Sequence, residues 1–175
     1  MQRLFLSIPL SNQVKNQIAP EIERFKKSIS DWEITWVAPE NLHITLVFFG
    51  WVKKEQIEIL KTEIGRAVSD FPSFKITTGK VSAKRWPIWL EIEQGREELN
   101  RLAEELVHQL TIKGSLEEGR GFYPHLTLGR VKKRGKTRLP LVNEEFSWKV
   151  ERLVLYESTY KGEKRVYTET ASFTF

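Results

Sequence analysis

The alternation of apolar and polar residues is clearest at Asn41-Leu42-His43-Ile44-Thr45-Leu46-Val47-Phe48-Phe49-Gly50. Apolar, β-branched and aromatic residues followed by glycine predict a strand that ends near Gly50. Because side chains alternate between the two faces of a strand, every second residue from His43 to Val47 is predicted to share one face. The other face then takes Ile44, Leu46 and Phe48. A histidine and a threonine therefore stand side by side on one face of an otherwise apolar strand.

The same pattern returns at Pro124-His125-Leu126-Thr127-Leu128-Gly129-Arg130. His125 follows His43 by 125 − 43 = 82 residues, close to half of the 175-residue chain. The chain contains three His and twelve Thr, and 40% of its residues are hydrophobic. Two of the three histidines would start such a motif by chance with a probability of roughly 4 × 10⁻⁴. The repeat therefore indicates an internal duplication.

Hydrophobic periodicity predicts further helices and strands around the first of these motifs. Ser11 is a good N-cap for a helix that reaches Ile29, and Pro20 is expected to kink or split that helix. A turn is expected at Thr78-Gly79 or nearby. The predicted elements of this half are a strand at 3–9, a helix at 11–29, an extended segment at 34–37, a helix at 53–71 and a strand at 74–84.

The second half repeats the order of strand, helix and His strand, and then adds two more strands. Phe5 precedes His43 by 38 residues and Leu90 precedes His125 by 35, which aligns the two halves on Phe5 and Leu90. The predicted elements of this half are a strand at 88–92, a helix at 97–110, a loop at 114–121, the second His strand, a basic loop at 132–138, and strands at 146–156 and 167–175 joined across 161–163.

The duplication predicts the architecture. Two copies of an α+β unit can place their His strands around a shared groove, and no linker or low-complexity segment separates the copies. We therefore predict an α+β fold in which residues 1–175 form a single domain of two pseudo-symmetric halves, about 1–86 and 87–175. Two antiparallel β-sheets are expected around a central cleft, with the helices on the outside.

Composition and charge limit the possible partners and the cellular location of the protein. A formal net charge of +5 at pH 7 favours an anionic partner, of which nucleic acid is the commonest case. The chain has no cysteine, which excludes disulfides and thiolate metal sites. No apolar run reaches the roughly 18 residues of a membrane span, and the start of the chain lacks a secretory signal, so we expect a cytoplasmic protein without membrane contact. The composition, rich in Lys and Glu and free of Cys, favours a thermophile.

Two histidines that face one groove are a natural acid and base pair. Each has an ordinary pKa near 6.5, so near neutral pH one can take a proton while the other gives one. The hydroxyls of Thr45 and Thr127 can donate hydrogen bonds to phosphate oxygens. In-line opening of a cyclic phosphodiester needs these groups and no cofactor. The alternatives are a structural role for each histidine or a zinc site, but zinc needs three or four ligands and neither motif offers a second one. His108 lies near the end of a helix and is expected at the surface.

Several residues near the second motif are candidate RNA contacts. The loop from Lys132 to Arg138 can steer an RNA backbone or can be a solvated basic loop. Strict alternation puts Arg130 on the face opposite Thr127, unless a β-bulge at Gly129 re-aims it. Three aromatic residues can stack a base or belong to the core: Trp36, Phe122 and Tyr123. For Trp36 the core is favoured.

Taken together, these motifs resemble the 2H phosphoesterase superfamily, in its branch of RNA 2′,3′-cyclic phosphodiesterases, once named 2′-5′ RNA ligases. One departure is Tyr123, where many members carry Arg before the Pro-His pair. The matching residues are Arg3-Leu4-Phe5-Leu6, then Trp36-Val37-x-Pro39-x-Asn41-Leu42-His43-Ile44-Thr45-Leu46 with Phe49-Gly50, and Pro124-His125-Leu126-Thr127-Leu128-x-Arg130.

The resemblance implies a cytoplasmic, metal-independent enzyme that needs no cofactor and acts as a monomer. It implies hydrolysis of a terminal 2′,3′-cyclic phosphate of RNA, or of a cyclic nucleotide, to a 2′-phosphate. It also implies that His43 is the proton donor and His125 the proton acceptor, and that Thr45 and Thr127 bind the phosphate. Two alternatives stay open: 2′-5′ ligation of tRNA halves, and a non-catalytic module that binds RNA ends. Possible substrate contacts are Arg130, Tyr123, Phe122 and Lys132.

Overall fold

The computed structural model describes residues 1–83, 87–112, 114, 122–142 and 144–175. Apart from Gly114, the loop predicted at 114–121 lies outside the described residues. A 3₁₀ turn at Pro39–Asn41 precedes the first His strand. The helices and strands are β1 (Gln2–Pro9), α1 (Asn12–Ser28), β2 (Glu33–Trp36), β3 (His43–Val52), α2 (Lys54–Val68), β4 (Phe74–Ala83), β5 (Pro87–Gln94), α3 (Arg96–Gln109), β6 (His125–Lys133), β7 (Ser147–Val150), β8 (Arg152–Lys161) and β9 (Lys164–Thr174).

The helices form where the spacing of apolar residues predicts them. The side chain of Ser11 accepts a hydrogen bond from the backbone N–H of Val14 at 3.3 Å and caps α1. Pro20 lies inside α1 but does not split it, since the helix continues to Ser28. An internal proline costs about 3 kcal/mol, which is less than the gain from four buried apolar side chains at about 1.5–3 kcal/mol each. Within the described ranges, no helix is long and apolar enough to cross a membrane.

Two antiparallel sheets form the body of the fold, as predicted. The first sheet has the strand order β3-β1-β8-β9, and the second sheet has the order β2-β6-β5-β4-β7. Every strand pair is antiparallel within the described residues. Each sheet takes strands from both halves of the sequence, and each contains one His strand. The first motif therefore lies on the first sheet and the second motif on the second sheet.

The strand predicted at 146–156 is in fact two strands in different sheets. β7 ends at Val150 and pairs with β4 in the second sheet, whereas β8 begins at Arg152 and pairs with β1 in the first sheet. Both sides of the crossing are apolar and buried, with Val150 at 1% and Leu153 at 0% exposure. The alternation breaks only at the exposed pair Glu151 and Arg152, and a β-bulge inside one strand would produce the same break, so the sequence does not show that the chain changes sheets there.

A predicted strand end and a predicted turn are both irregularities inside strands. β3 continues past Gly50 to Val52, and Gly50 adopts φ +67°, a conformation that glycine reaches without strain. The turn predicted at Thr78-Gly79 lies inside β4, where the pairing with β5 shifts register. Thr78 is buried, and its hydroxyl accepts a hydrogen bond from the backbone N–H of Phe146 at 3.0 Å. Turn-forming residues mark bulges here, because a bulge also interrupts regular pairing.

Candidate active site

The two His strands occupy matching places in the two sheets. In the first sheet, β3 pairs with β1 so that His43 lies opposite Pro9. In the second sheet, β6 pairs with β5 so that His125 lies opposite Glu91. The differences 125 − 43 and 91 − 9 both equal 82, so a single offset relates both strands of each pair.

This constant offset corrects the alignment of Phe5 with Leu90. Phe5 lies opposite Phe48, and its counterpart is Pro87 opposite Arg130, because 87 − 5 and 130 − 48 also equal 82. The alignment on Leu90 is therefore wrong by three residues. An apolar strand fits several registers equally well when only hydrophobicity is compared, and the pairing partners decide between them.

β3 carries a β-bulge directly after Thr45. Leu46 is an extra residue, because its two neighbours on β3 pair with consecutive residues of β1, at positions 7 and 6. A bulge shifts the alternation of side chains beyond it. Val47 is accordingly fully buried, whereas Phe48 is 47% exposed. The predicted faces of these two residues are wrong for this reason.

The second His strand has the same bulge, and it re-aims Arg130. Thr127 lies opposite Trp89, and Arg130 lies opposite Pro87. Residues 87 and 89 share a face of β5, so Arg130 shares the face of Thr127. The extra residue is Leu128, one position before the Gly129 considered from the sequence. Arg130 is exposed on the motif face.

Backbone and side-chain contacts fix the His43 ring. Its Nδ1–H donates to the carbonyl oxygen of Asn41 at 2.6 Å, since a carbonyl can only accept. In the neutral ring Nε2 is then the acceptor, and it lies 3.0 Å from the Thr45 hydroxyl oxygen. The ring also packs 5.0 Å from the Phe5 ring and 5.3 Å from the Tyr167 ring, measured between centroids. The imidazole is thus held with Nε2 as its proton-accepting atom.

Burial lowers the pKa of His43 from 6.5 to about 4. The hydrogen bond to Asn41 opposes this shift, while the positive charges of Lys15 and His125 add to it. The ammonium of Lys15 donates to the backbone oxygen of Glu40 at 3.0 Å, which anchors its charge beside the turn before β3. His43 is therefore neutral at pH 7 in the free protein.

His125 is held in the same way. Its Nδ1–H donates to the carbonyl oxygen of Tyr123 at 2.7 Å, again two residues earlier in the chain. Its ring lies 5.8 Å from the Trp89 ring and 6.3 Å from the Tyr123 ring. The two histidines therefore present the same nitrogen, Nε2, for proton transfer. In the described part of the chain, no hydrogen bond joins Thr127 to His125.

The remaining predicted contacts are spread around the second motif. Tyr123 is 42% exposed, and the Arg96 guanidinium lies 5.2 Å from its ring centroid. Phe122 is half-buried and packs against the core, as does Trp36. Lys132 is at the far end of β6, where its ammonium lies 3.6 Å from the carboxylate of Glu33. Lys132 thus faces the β2 edge.

The basic loop after β6 has a structural anchor. The carboxylate of Asp31 accepts hydrogen bonds from the backbone N–H groups of Lys136 at 2.6 Å and Thr137 at 3.0 Å. These bonds lower the pKa of Asp31. The guanidinium of Arg134 lies 5.4 Å from the Trp32 ring centroid. These contacts order the loop while its lysine side chains stay exposed, which fits both a solvated loop and one that steers RNA.

Sequence reasoning missed the groups that pack around the two rings. They come from other strands, and no local pattern signals them: Phe5, Trp89 and Tyr167. Among the described residues, no three His, Asp or Glu side chains come together in a group that could hold a metal ion.

Comparison with known proteins agrees with this fold. The model of the 2′-5′ RNA ligase superfamily matches residues 14–161. The RNA 2′,3′-cyclic phosphodiesterase of Thermotoga maritima is 38% identical over 74% of this chain and 70% of its own length. That of Escherichia coli is 30% identical over 95% of this chain and 93% of its own. The crystal structure of E. coli LigT complexed with 3′-AMP has 28% identity and a TM-score of 0.84, covering 99% of this chain and 97% of that one.

The fold and these relatives define an enzyme of the hydrolase class. The chain belongs to the 2′-5′ RNA ligase superfamily, whose members are also called 2H phosphoesterases.

Proposed function

We propose that this enzyme hydrolyses the 2′,3′-cyclic phosphate at the end of an RNA to a 2′-phosphate, with His43 and His125 as the acid and base pair. One observation carries the proposal. Each histidine stands on a different sheet, and each donates Nδ1–H to the carbonyl two residues before it. Both rings therefore offer Nε2, and the two His strands, β3 and β6, contact each other.

The reaction needs one proton taken and one given. Water adds to phosphorus as the bond from phosphorus to the 3′-oxygen breaks, and the 2′-oxygen keeps the phosphate. In the roles that the resemblance implies, His125 takes the proton from water and His43 gives a proton to the departing 3′-oxygen. Thr45, Thr127 and Arg130 share the motif faces and would hold the phosphate oxygens, where negative charge develops.

The lowered pKa of His43 bears on the assignment of His43 as proton donor and His125 as proton acceptor. At pH 7 a donor must first gain a proton, and the negative charge of a bound phosphate beside Nε2 would raise the pKa of His43 and supply that condition. The Thr45 hydroxyl, now bonded to Nε2, would then turn to a phosphate oxygen. With the roles exchanged, His43 would already be a neutral acceptor.

Turnover of a nucleoside 2′,3′-cyclic phosphate in the presence of EDTA tests the activity. We expect hydrolysis that survives chelation, because acid and base catalysis by two imidazoles needs no metal ion. Mapping of the product should give the 2′-phosphate. RNA binding without any turnover would instead indicate the non-catalytic end-binding module. Joining of tRNA halves through a 2′-5′ bond, without hydrolysis, would indicate the ligase.

Replacement of Thr45 by alanine is expected to lower kcat/KM by roughly 10- to 150-fold. The variant loses one hydrogen bond to a charged phosphate oxygen, worth about 1.5–3 kcal/mol. Thr45→Ser keeps the hydroxyl and is the matched control, expected to stay within a few-fold of the parent enzyme. Equal losses in the Ala and Ser variants would show that Thr45 acts through packing of its methyl group.

The proposal also covers the domain organisation, the location and the oligomeric state of the enzyme. We propose that residues 1–175 act as one domain of two related halves, about 1–86 and 87–175, and that the protein works as a cytoplasmic monomer. The shared 82-residue offset of the strand pairs supports the two halves.

A further inference from the structure

We propose that the face of the first sheet that carries His43 is a binding surface for single-stranded RNA, which holds the nucleotides on the 5′ side of the cyclic phosphate. The inference rests on the proposed function and extends it from the reacting phosphate to the body of the substrate. A cyclic phosphate occupies the 3′ end of its RNA, so all further nucleotides lie on the 5′ side and need a surface next to the site.

Strand pairing defines this face. Tyr167 on β9 contacts the rings of both His43 and Phe5, with centroids 5.3 and 4.8 Å apart, so Tyr167 points to the His43 side. Arg165 precedes Tyr167 by two residues and shares its face, and Tyr160 lies directly opposite Arg165. The surface therefore leads outward from His43 along the β8–β9 hairpin.

The same face extends across β1 to the edge strand β3. Arg3 precedes Phe5 by two residues on β1, and the register shift between them places the extra residue, Phe49, on β3. The alternation of β1 is therefore unbroken, and the two side chains share a face. Trp51 lies directly opposite Arg3. Trp51 is 68% exposed and Tyr160 is 63% exposed. On one sheet face, Trp51 of the edge strand β3 thus lies next to Arg3, and Tyr160 of β8 lies next to Arg165 of the other edge strand, β9.

Arg3 and Arg165 give this surface positive charge near Tyr167, and the carboxylate of Glu169 lies further along the same face of β9. Within the described residues, neither Arg3 nor Arg165 forms an ion pair with a carboxylate. Arg165 instead donates to the hydroxyl of Ser158 at 3.2 Å and to that of Tyr160, and its guanidinium lies 4.6 Å from the Tyr160 ring centroid. Burial raises the pKa of Tyr167, and the positive charges of Arg165, Arg130 and Arg3 oppose that rise.

Asn41 links this surface to His43. The side-chain amide of Asn41 donates to the backbone oxygen of Arg165 at 3.2 Å, and the backbone oxygen of Asn41 accepts from His43. The β8–β9 hairpin is therefore tied to the turn that orients His43. RNA on the hairpin would bind within reach of the reacting phosphate.

Single-stranded RNA matches this chemistry better than a duplex or an acidic protein. Unpaired bases stack on exposed aromatic rings, and arginines contact the backbone phosphates between them. A duplex hides its base faces, and an acidic peptide would leave the exposed rings of Trp51 and Tyr160 without a stacking partner.

Two substrates of different length test the surface. One is a nucleoside 2′,3′-cyclic phosphate, and the other is a single-stranded hexaribonucleotide that ends in the same cyclic phosphate. In the parent enzyme, we expect a higher kcat/KM for the hexamer. Tyr160→Ser is expected to lower kcat/KM for the hexamer by about 5- to 150-fold, the effect of one lost stacking contact. The loss on the mononucleotide should be at least five-fold smaller.

The salt dependence of RNA binding tests whether Arg3 and Arg165 contact phosphates. Hexamer binding, followed by fluorescence anisotropy, should weaken linearly with salt on logarithmic axes. The slope should fall by up to about 1.4 in the double variant Arg3→Gln/Arg165→Gln, at about 0.7 for each phosphate contact on a single strand. Arg101→Gln, which removes an exposed charge beside Phe71 on α3, is the matched control and should keep the parent slope.

Three outcomes separate this inference from the proposed function. If the parent enzyme turns over both substrates equally and Tyr160→Ser lowers both alike, the inference is wrong while the function stands. An unchanged salt slope in the double arginine variant would also overturn the inference. If neither substrate is hydrolysed but hexamer binding still weakens in Tyr160→Ser and not in Arg101→Gln, the surface stands and the proposed hydrolysis fails.

Discussion

Replacement of either His43 or His125 by alanine is expected to lower kcat/KM for a 2′,3′-cyclic phosphate by about 10²–10⁴-fold. That range is the usual contribution of a positioned group that transfers a proton in the transition state. The double variant should lose much less than the product of the two single losses, because the two groups act on one phosphorus as a unit. Steady-state kinetics of the three variants on one cyclic nucleotide measures this.

His108→Ala is the matched control for these variants. His108 lies on the exposed side of α3, and we expect no change in rate. Full activity of His125→Ala, or an equal loss in His108→Ala, would contradict the two-histidine mechanism.

A substrate with a better leaving group identifies which histidine donates the proton and which accepts it. An aryl phosphodiester releases a phenolate that needs no proton, so the variant that lacks the donor should recover rate on it and the variant that lacks the acceptor should not. The roles implied by the resemblance predict recovery in His43→Ala. Recovery in His125→Ala would reverse them, in line with the neutral state of His43 in the free protein.

The sequence predicts those parts of the fold that depend on local periodicity. The faces of α2 and α3 follow from apolar spacing, and the buried residues of α2 lie where that spacing puts them: Ile57, Leu60, Ile64, Ala67 and Val68. The two His motifs were also predictable, because each lies on a single strand and the repeat makes it stand out. The crossing at Glu151 was not, because two consecutive charged residues fit a β-bulge within one strand as well as a change of sheet.

The details of the site depend on pairing between distant strands. The bulge at Leu128 decides which way Arg130 points, and a bulge exists only relative to the partner strand, here β5. Tyr167 reaches His43 from a strand 124 residues later in the chain, since 167 − 43 = 124. A single sequence predicts that His43 lies on a polar face, but it does not predict which side chains enclose its ring or lower its pKa.

The low pKa of His43 predicts that the protein loses stability as the pH falls from about 6.5 to about 4. Burial holds this pKa at about 4 in the folded protein, against 6.5 for an ordinary histidine. Within that window the unfolded chain binds a proton at His43 and the folded chain does not, so the free energy of unfolding rises with pH and falls on acidification. The shift corresponds to about 3 kcal/mol, which is lost in full only below the folded pKa.

Urea unfolding of the parent protein and of His43→Asn at pH 7, 6, 5 and 4 isolates this contribution. Asn keeps a side-chain N–H for the carbonyl of Asn41 but does not titrate. Carboxylates titrate in both proteins and cancel in the difference, so the parent should lose about 3 kcal/mol more than the variant between pH 7 and pH 4. Lys15→Met removes one of the two positive charges that lower this pKa, and it should narrow the difference. Parallel stability curves for the parent and His43→Asn would show that the imidazole is solvated in the folded protein, and the neutral state inferred for it at pH 7 would then have no basis.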